Sequence, residues 1–134
     1  MIYGVGTDII NSNRIKKIIK KYNERFINKF FGKDEIEISK TKYNKNLFFS
    51  KRFAAKEAFW KACSPLKSGS IKFKDVQIIS DYRGKPKINI SGDTLKYIEK
   101  IEKSINNKFH FDVSLSDEPP YALAFVIIFL ASNQ

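Results

Sequence analysis

The chain has 134 residues, 43% of them hydrophobic and 29% charged, which suits one globular domain and excludes a disordered or fibrous polymer. Lys+Arg number 25 against 14 Asp+Glu, a formal charge of +11, so the surface attracts anions and excludes only partners that are themselves strongly basic. The single cysteine, Cys63, excludes an intrachain disulfide framework and fits a reducing compartment.

Charge alone does not choose between nucleic acid, acidic lipid, acidic protein and polyphosphate. Only Arg14, Arg25, Arg52 and Arg83 are arginines, so the excess is nearly all lysine. Abundant Lys, Ile and Asn are what an AT-rich coding sequence produces, and part of the charge follows from that bias. The longest apolar run, Tyr121 to Ala131, is shorter than the ~20 residues a membrane helix needs. The N-terminus lacks the basic-then-apolar pattern of a signal peptide. The expected compartment is the cytoplasm, with a plastid-type organelle, after removal of a targeting segment, as the alternative.

Ile2 to Ile10 reads as a strand ending near Asp8, and Asn11-Ser12-Asn13 offers cap residues for a following helix. Ile15, Ile18, Ile19 and Tyr22 form one apolar stripe at helical spacing, with Arg14, Lys16, Lys17, Lys20 and Lys21 on the other side. A short helix is expected around Phe26-Ile27 and Phe30-Phe31, stopped by Gly32, and Asp34-Glu35 suits the start of another. From about Asn46 to Cys63 the pattern is helical, with Ser64-Pro65 as the stop. Lys67 to Ser70 reads as a polar linker. Val76–Ser80 and Lys85–Ile90 read as two strands around Asp81-Tyr82-Arg83-Gly84. Ser91-Gly92-Asp93-Thr94 precedes a helix with Leu95, Ile98 and Ile101 in register. Phe109, Phe111, Val113 and Leu115 alternate as in a half-buried strand. Tyr121 to Phe129 is apolar on both faces, as in a central strand or a subunit contact. The expected class is α+β, a mostly antiparallel sheet packed against a long central helix, in one domain spanning residues 1–134.

Three segments carry candidate chemistry. The helix around Lys51-Arg52-Phe53-Ala54-Ala55-Lys56-Glu57-Ala58-Phe59-Trp60-Lys61-Ala62 is apolar nearly all round, so it lies inside the protein. Its charges therefore need partners or a ligand. Glu57 and Lys61 are four residues apart: either an ordinary helix pair, or a carboxylate and an amine aimed into a polyanion site. In Gly4-Val5-Gly6-Thr7-Asp8, two glycines in a strand mark close approach of a ligand or another backbone. The segment is neither a Walker loop nor a dinucleotide fingerprint. Asp8 is a strand-end carboxylate that either caps or, paired with Glu57, suits magnesium, an oxygen-seeking ion held by one or two carboxylates plus substrate phosphates. No Cys/His cluster competes for a transition metal, and the lone His110 reads as structural. The third segment, Ser114-Leu115-Ser116-Asp117-Glu118-Pro119-Pro120-Tyr121-Ala122-Leu123-Ala124, is a hairpin that either closes a sheet or presents hydroxyls and backbone N–H groups to phosphate.

Taken in order, these segments resemble the holo-acyl-carrier-protein synthase family of 4'-phosphopantetheinyl transferases. The family opens on Gly-x-Asp followed by Arg-Ile, here Gly6-Thr7-Asp8 and Arg14-Ile15. Its signature helix is matched throughout Lys51 to Ala62, its Gly-x-Pro by Gly84-Lys85-Pro86, and its closing Tyr-Ala-x-Ala by Tyr121 to Ala124. The resemblance implies the transferase fold, coenzyme A as donor substrate, and Mg2+ held by Asp8 and Glu57. It implies catalytic roles for Asp8, Glu57 and Lys61, and cofactor binding by Arg52, Lys56, Lys61, Gly84, Pro86, Ser116 and Asp117. The carrier serine's proton would go to Glu57, directly or through a bound water. An acidic acyl carrier protein would dock on Arg14, Lys17, Ile18 and Lys21, with Lys20 beside them. The resemblance further implies a homotrimer with active sites between subunits, a role in fatty acid biosynthesis, and no nucleic-acid or membrane partner. One position departs: where the family has histidine after the second serine, this chain has Asp117. An ionised carboxylate donates no hydrogen bond. Asp117 then contributes only its backbone, points away, or joins the metal; the first is the expectation. Two rival classes remain to be set against this: a small RNA- or DNA-binding protein, suggested by the charge and 14% aromatics, and a family member acting only as an interaction protein.

Overall fold

The computed structural model describes residues 1–66 and 70–131. Of the linker expected at Lys67 to Ser70, all but Ser70 lies outside the described residues. The elements run β1 (Ile2–Asn11), α1 (Ser12–Tyr22), α2 (Glu24–Phe30), α3 (Lys33–Ser39), α4 (Lys45–Ala62), a short 3-10 turn at Phe73–Asp75, β2 (Val76–Ser80), β3 (Pro86–Ile90), α5 (Gly92–Ile105), β4 (Phe109–Glu118) and β5 (Tyr121–Leu130). The class is α+β, as expected, with every strand pairing antiparallel: a three-stranded sheet ordered β1-β5-β4 and the separate hairpin β2-β3.

Helix boundaries follow local chemistry. Asn11 caps α1, its Oδ1 accepting from Asn13 N at 2.9 Å, and Asn44 caps α4 by accepting from Leu47 N at 3.0 Å. The orphan N–H groups of α3 at Asp34 and Glu35 are met by Gln77 Oε1 at 2.8 and 3.1 Å. In the β2–β3 turn, the Asp81 side chain accepts from the N–H of Arg83 and Lys85, and Gly84 takes a positive φ of 83°.

Helix α4 is the axis of the molecule. Ala54, Ala55, Ala58 and Ala62 are fully buried, as is Phe59, while Phe48, Phe49 and Phe53 reach a second cluster with Phe26 and Phe31. The small alanine faces let α4 lie directly on the sheet. A Cβ at Gly6 would sit 1.9 Å from the Ala58 carbonyl oxygen, and one at Gly4 1.9 Å from that of Ala62. The two glycines of β1 therefore answer to a neighbouring backbone. This contact brings the end of β1, with Asp8, to the C-terminal half of α4.

Strand β5 is central, as its composition predicts, but its two faces differ. Ala122, Ala124, Val126 and Ile128 are fully buried beneath α4, whereas Tyr121, Leu123, Phe125 and Phe129 face outward. Val5 and Ile9 on β1 extend that open apolar face.

Candidate active site

The site has two halves, both built on α4. In the first, Lys61 Nζ donates to Asp8 Oδ1 at 3.0 Å and to the Thr7 carbonyl at 3.1 Å. Thr7 Oγ1 in turn donates to the Ala124 carbonyl at 3.1 Å, fixing the end of β1 against β5. Glu57 stands one turn before Lys61 and within electrostatic reach of Asp8, Lys61 and Arg14. Burial raises the Glu57 carboxyl above its ordinary value and the Asp8 carboxylate raises it further, while Lys61 and Arg14 pull it back. Asp8, Glu57, Lys61 and Arg14, from three elements, thus form one charged cluster. Lys61 bonds to Asp8 across elements, so the pairing along the helix with Glu57 is not its hydrogen bond.

The donor chemistry suits a hard divalent cation. Asp8 and Glu57 lie close enough that the charge on one disfavours ionisation of the other. Paired carboxylates suit a cation whose remaining ligands are water and substrate phosphates.

The second half is a cleft of about 370 Å³ beside the N-terminal half of α4, where Lys42, Lys51, Arg52, Gly84, Pro86 and Leu115 meet. The structure therefore brings together Arg52, Gly84 and Pro86, which are far apart in sequence. The Arg52 guanidinium stacks 3.9 Å over the Phe48 ring, and its buried Nε has no hydrogen-bond partner among the described residues. Burial pushes Arg52 below its ordinary value against the pull of Glu35, yet a guanidinium stays charged at neutral pH. A guanidinium lining an open cleft suits an anion.

Three expected cofactor residues are placed differently. Lys56 is fully buried and turned away from the cleft, its Nζ donating to Glu35 Oε1 at 2.6 Å and to the carbonyls of Phe73 and Val76. All three donors are used, so in this structure none is left for a ligand. Asp117 points at α4 and pairs with Lys51 at 3.2 Å, so its side chain is engaged and is not merely a bystander to its backbone. Ser116 lies opposite Leu123 on the exposed sheet face, away from both halves within one chain. His110, expected to be structural, stacks on Phe129 on that same outer face.

Arg14, Lys17, Lys20 and Lys21 are all exposed on α1. Ile18 opens into an apolar groove of about 510 Å³ with Tyr22, Phe26 and Phe30, rimmed by Arg25 and Lys29. The groove arises because the apolar stripe of α1 runs off the core at Tyr22, which is half exposed. Arg25, Lys29, Lys42 and Lys51 are site candidates that the sequence left without a role. Lys51 stood inside the signature helix, whereas Lys42, in a lysine-rich loop, gave no signal.

An α+β fold whose long buried helix carries cations and a carboxylate to a paired-carboxylate cluster and a cationic cleft suits ligands that bear phosphate. A profile of the 4'-phosphopantetheinyl transferase superfamily matches residues 4–126, and the chain belongs to that family of enzymes. Among similar proteins, a holo-[acyl-carrier-protein] synthase of Wolbachia pipientis is 47% identical, with 96% of this chain and 98% of the relative covered. The crystal structure of the holo-[acyl-carrier-protein] synthase of Neisseria meningitidis superposes with a TM-score of 0.83 at 32% identity, covering 96% of this chain and 99% of that one. The Helicobacter pylori holo-[acyl-carrier-protein] synthase, solved in complex with coenzyme A, has a TM-score of 0.75 at 26% identity over 93% of this chain and 99% of that one.

Proposed function

We propose that this chain is a holo-acyl-carrier-protein synthase, which moves 4'-phosphopantetheine from coenzyme A to a serine of an apo-acyl carrier protein and releases adenosine 3',5'-bisphosphate. The observation that carries the reading is the convergence of Asp8, Glu57 and Lys61 where β1 meets α4, on a chain whose relatives bear that name.

Asp8 and Glu57 would hold Mg2+, and the ion when bound would offset charge on the diphosphate of the donor. The remaining work falls to protein groups. Lys61, oriented by Asp8 and the Thr7 carbonyl, would neutralise a phosphate oxygen as charge builds on the leaving bisphosphate. The carrier serine oxygen attacks the phosphorus attached to pantetheine, and the bond from that phosphorus to the oxygen of the leaving bisphosphate breaks. The serine proton passes to Glu57, directly or through a water. Without a cation the Glu57 carboxyl is raised toward the range a base needs, and a cation held by the same group would lower it. Arg52, Gly84 and Pro86 form the wall that receives the nucleotide.

Arg52 and Lys61 are nine residues apart in sequence, roughly 13 Å along the helix axis. The open apolar face of Val5, Ile9, Leu123, Phe125 and Phe129 supplies a surface for association of copies, and Ser116 lies on it. A homotrimer with coenzyme A bridging neighbouring subunits joins these features, with Ser116 meeting a neighbour's substrate. An acidic carrier would dock on Arg14, Lys17, Ile18 and Lys21, with its apolar contacts in the Ile18 groove. The setting is the cytoplasm and fatty acid biosynthesis. Among the described residues no helix is long and apolar enough to cross a membrane.

Incubation with coenzyme A, magnesium and an apo-acyl carrier protein tests the reading. The expected result is a carrier mass increase of one phosphopantetheine arm. No mass gain, with the protein folded and the carrier competent, would overturn it.

A further inference from the structure

Lys51 and Asp117 join two elements at the mouth of the cleft. Lys51 sits in the second turn of α4 and lines the cleft; Asp117 stands behind it near the end of β4, with 3.2 Å between Nζ and Oδ2. Neither is fully buried, with side chains 27% and 31% exposed, so the pair adds little to stability. Its placement calls for another account. An ionised carboxylate beside a cleft that receives a polyanion is unfavourable, because it accepts hydrogen bonds only and repels phosphate. A lysine ammonium has three donors. The ion pair with Asp117 does not use them up, so donors remain for a ligand.

The adjacent residue supplies the second observation. Arg52 is 6% exposed, is stacked on Phe48, and keeps a buried Nε without a partner on the same cleft wall. Consecutive residues of α4 thus present a rigid guanidinium and a bridged ammonium to one cavity.

We propose that Lys51 is a further phosphate-binding residue for coenzyme A, and that Asp117 is its positioning residue. Asp117 holds the ammonium at the cleft mouth, and Lys51 shields the incoming phosphate from the Asp117 charge. This rests on the cleft being the coenzyme A site. It assigns Lys51 a task that neither its sequence context nor its ion pair alone indicated, and it gives Asp117 a role other than metal ligation.

The consequence is a specific non-additivity. Removing Lys51 deletes a cation and also uncovers a carboxylate, so its cost depends on whether residue 117 is charged. Coenzyme A affinity by calorimetry, and KM and kcat for transfer, are to be measured on the wild type, Lys51→Ala, Lys51→Arg, Asp117→Asn and the double variant Lys51→Ala/Asp117→Asn. Lys51→Ala is expected to weaken coenzyme A binding by about tenfold or more, in KM far more than in kcat, and Lys51→Arg to retain it. In the Asp117→Asn background the same alanine substitution is expected to cost roughly threefold or less. Thermal midpoints should stay close to wild type throughout. Equal cost in both backgrounds, or variants that shift only the midpoint with coenzyme A affinity unchanged, would overturn the proposal while leaving the transferase reading intact. A wild type that binds no coenzyme A would overturn both.

Discussion

Two of the three lysine–carboxylate pairs on helix α4, Lys56–Glu35 and Lys61–Asp8, differ in whether the fold completes them. Lys56 and Glu35 are both fully buried at 2.6 Å, and the pair's own polar atoms are satisfied by protein: Lys56 Nζ also donates to the carbonyls of Phe73 and Val76, Glu35 Oε1 also accepts from Gly32 N, and Oε2 from Ile78 N. Lys61 and Asp8 meet at 3.0 Å with Lys61 half exposed, and a second carboxylate, Glu57, stands beside them. The first pair is complete without a ligand and ties α3, α4 and β2 together. The second is partly open to solvent beside Glu57 and Arg14, so the fold does not close it off from a ligand. What separates a structural from a functional ion pair here is whether its remaining valences are filled by the fold.

The largest expected effect breaks the buried pair. Lys56→Ala leaves Glu35 charged and unpaired inside the protein, at a cost of about 3–5 kcal/mol by chemical denaturation. Replacing both partners, as in Lys56→Met with Glu35→Leu, should recover much of that loss. A single-variant loss below about 1 kcal/mol would mean that water reaches Glu35. Lys61→Ala should do the reverse. Its stability should stay within about 1 kcal/mol of wild type, while turnover falls roughly 10²–10³-fold, the usual range for removing one transition-state donor. Equal damage to stability and turnover would remove the distinction between the pairs.

Arg14 belongs to the open cluster by its field on Glu57, and to the exposed edge of α1 by its position. Arg14→Glu is expected to raise KM for the carrier by about tenfold and to lower its association rate, with a much smaller change in KM for coenzyme A. Equal change for both substrates would count against docking there.

The smallest effect is on the pH dependence of stability. The folded pKa of Glu57 is raised, so ionisation disfavours the folded state. The penalty is absent below the ordinary glutamate range and is complete above the raised folded value. Without added divalent cation, Glu57→Gln should therefore raise the thermal midpoint at neutral pH, with the gain shrinking on acidification through the ordinary glutamate range. A gain that grows as pH falls would contradict the assigned environment.

Much of this was legible in the residues. The alternation of β4, the double-faced apolarity of β5 and the buried character of α4 were readable because periodicity reports burial directly. The sequence could mark Gly4 and Gly6 as points of close approach without saying to what; the structure shows the carbonyls of Ala58 and Ala62. The fate of Lys56 was not readable. A helix apolar all round has no polar face to sort its lysines, and the partner, Glu35, is 21 residues away on a helix whose acids read as ordinary first-turn residues. Asp117 was ambiguous for a similar reason: its partner, Lys51, is fixed by how the end of β4 meets α4, a tertiary relation no local pattern encodes. Strand alternation puts Ser116 on the opposite sheet face from Asp117, so any contact of Ser116 with phosphate would have to be made toward a neighbouring copy.

The central claim is that Asp8 and Glu57 act as one cation-holding unit. Its most direct test is calorimetry of coenzyme A binding with and without magnesium, on the wild type, Asp8→Asn and Glu57→Gln, with phosphopantetheine transfer followed in parallel. The account predicts that magnesium tightens binding to the wild type, that either substitution removes this enhancement, and that transfer collapses in both folded variants. Enhancement by magnesium that persists in both variants, or near-wild-type transfer by Glu57→Gln, would contradict it.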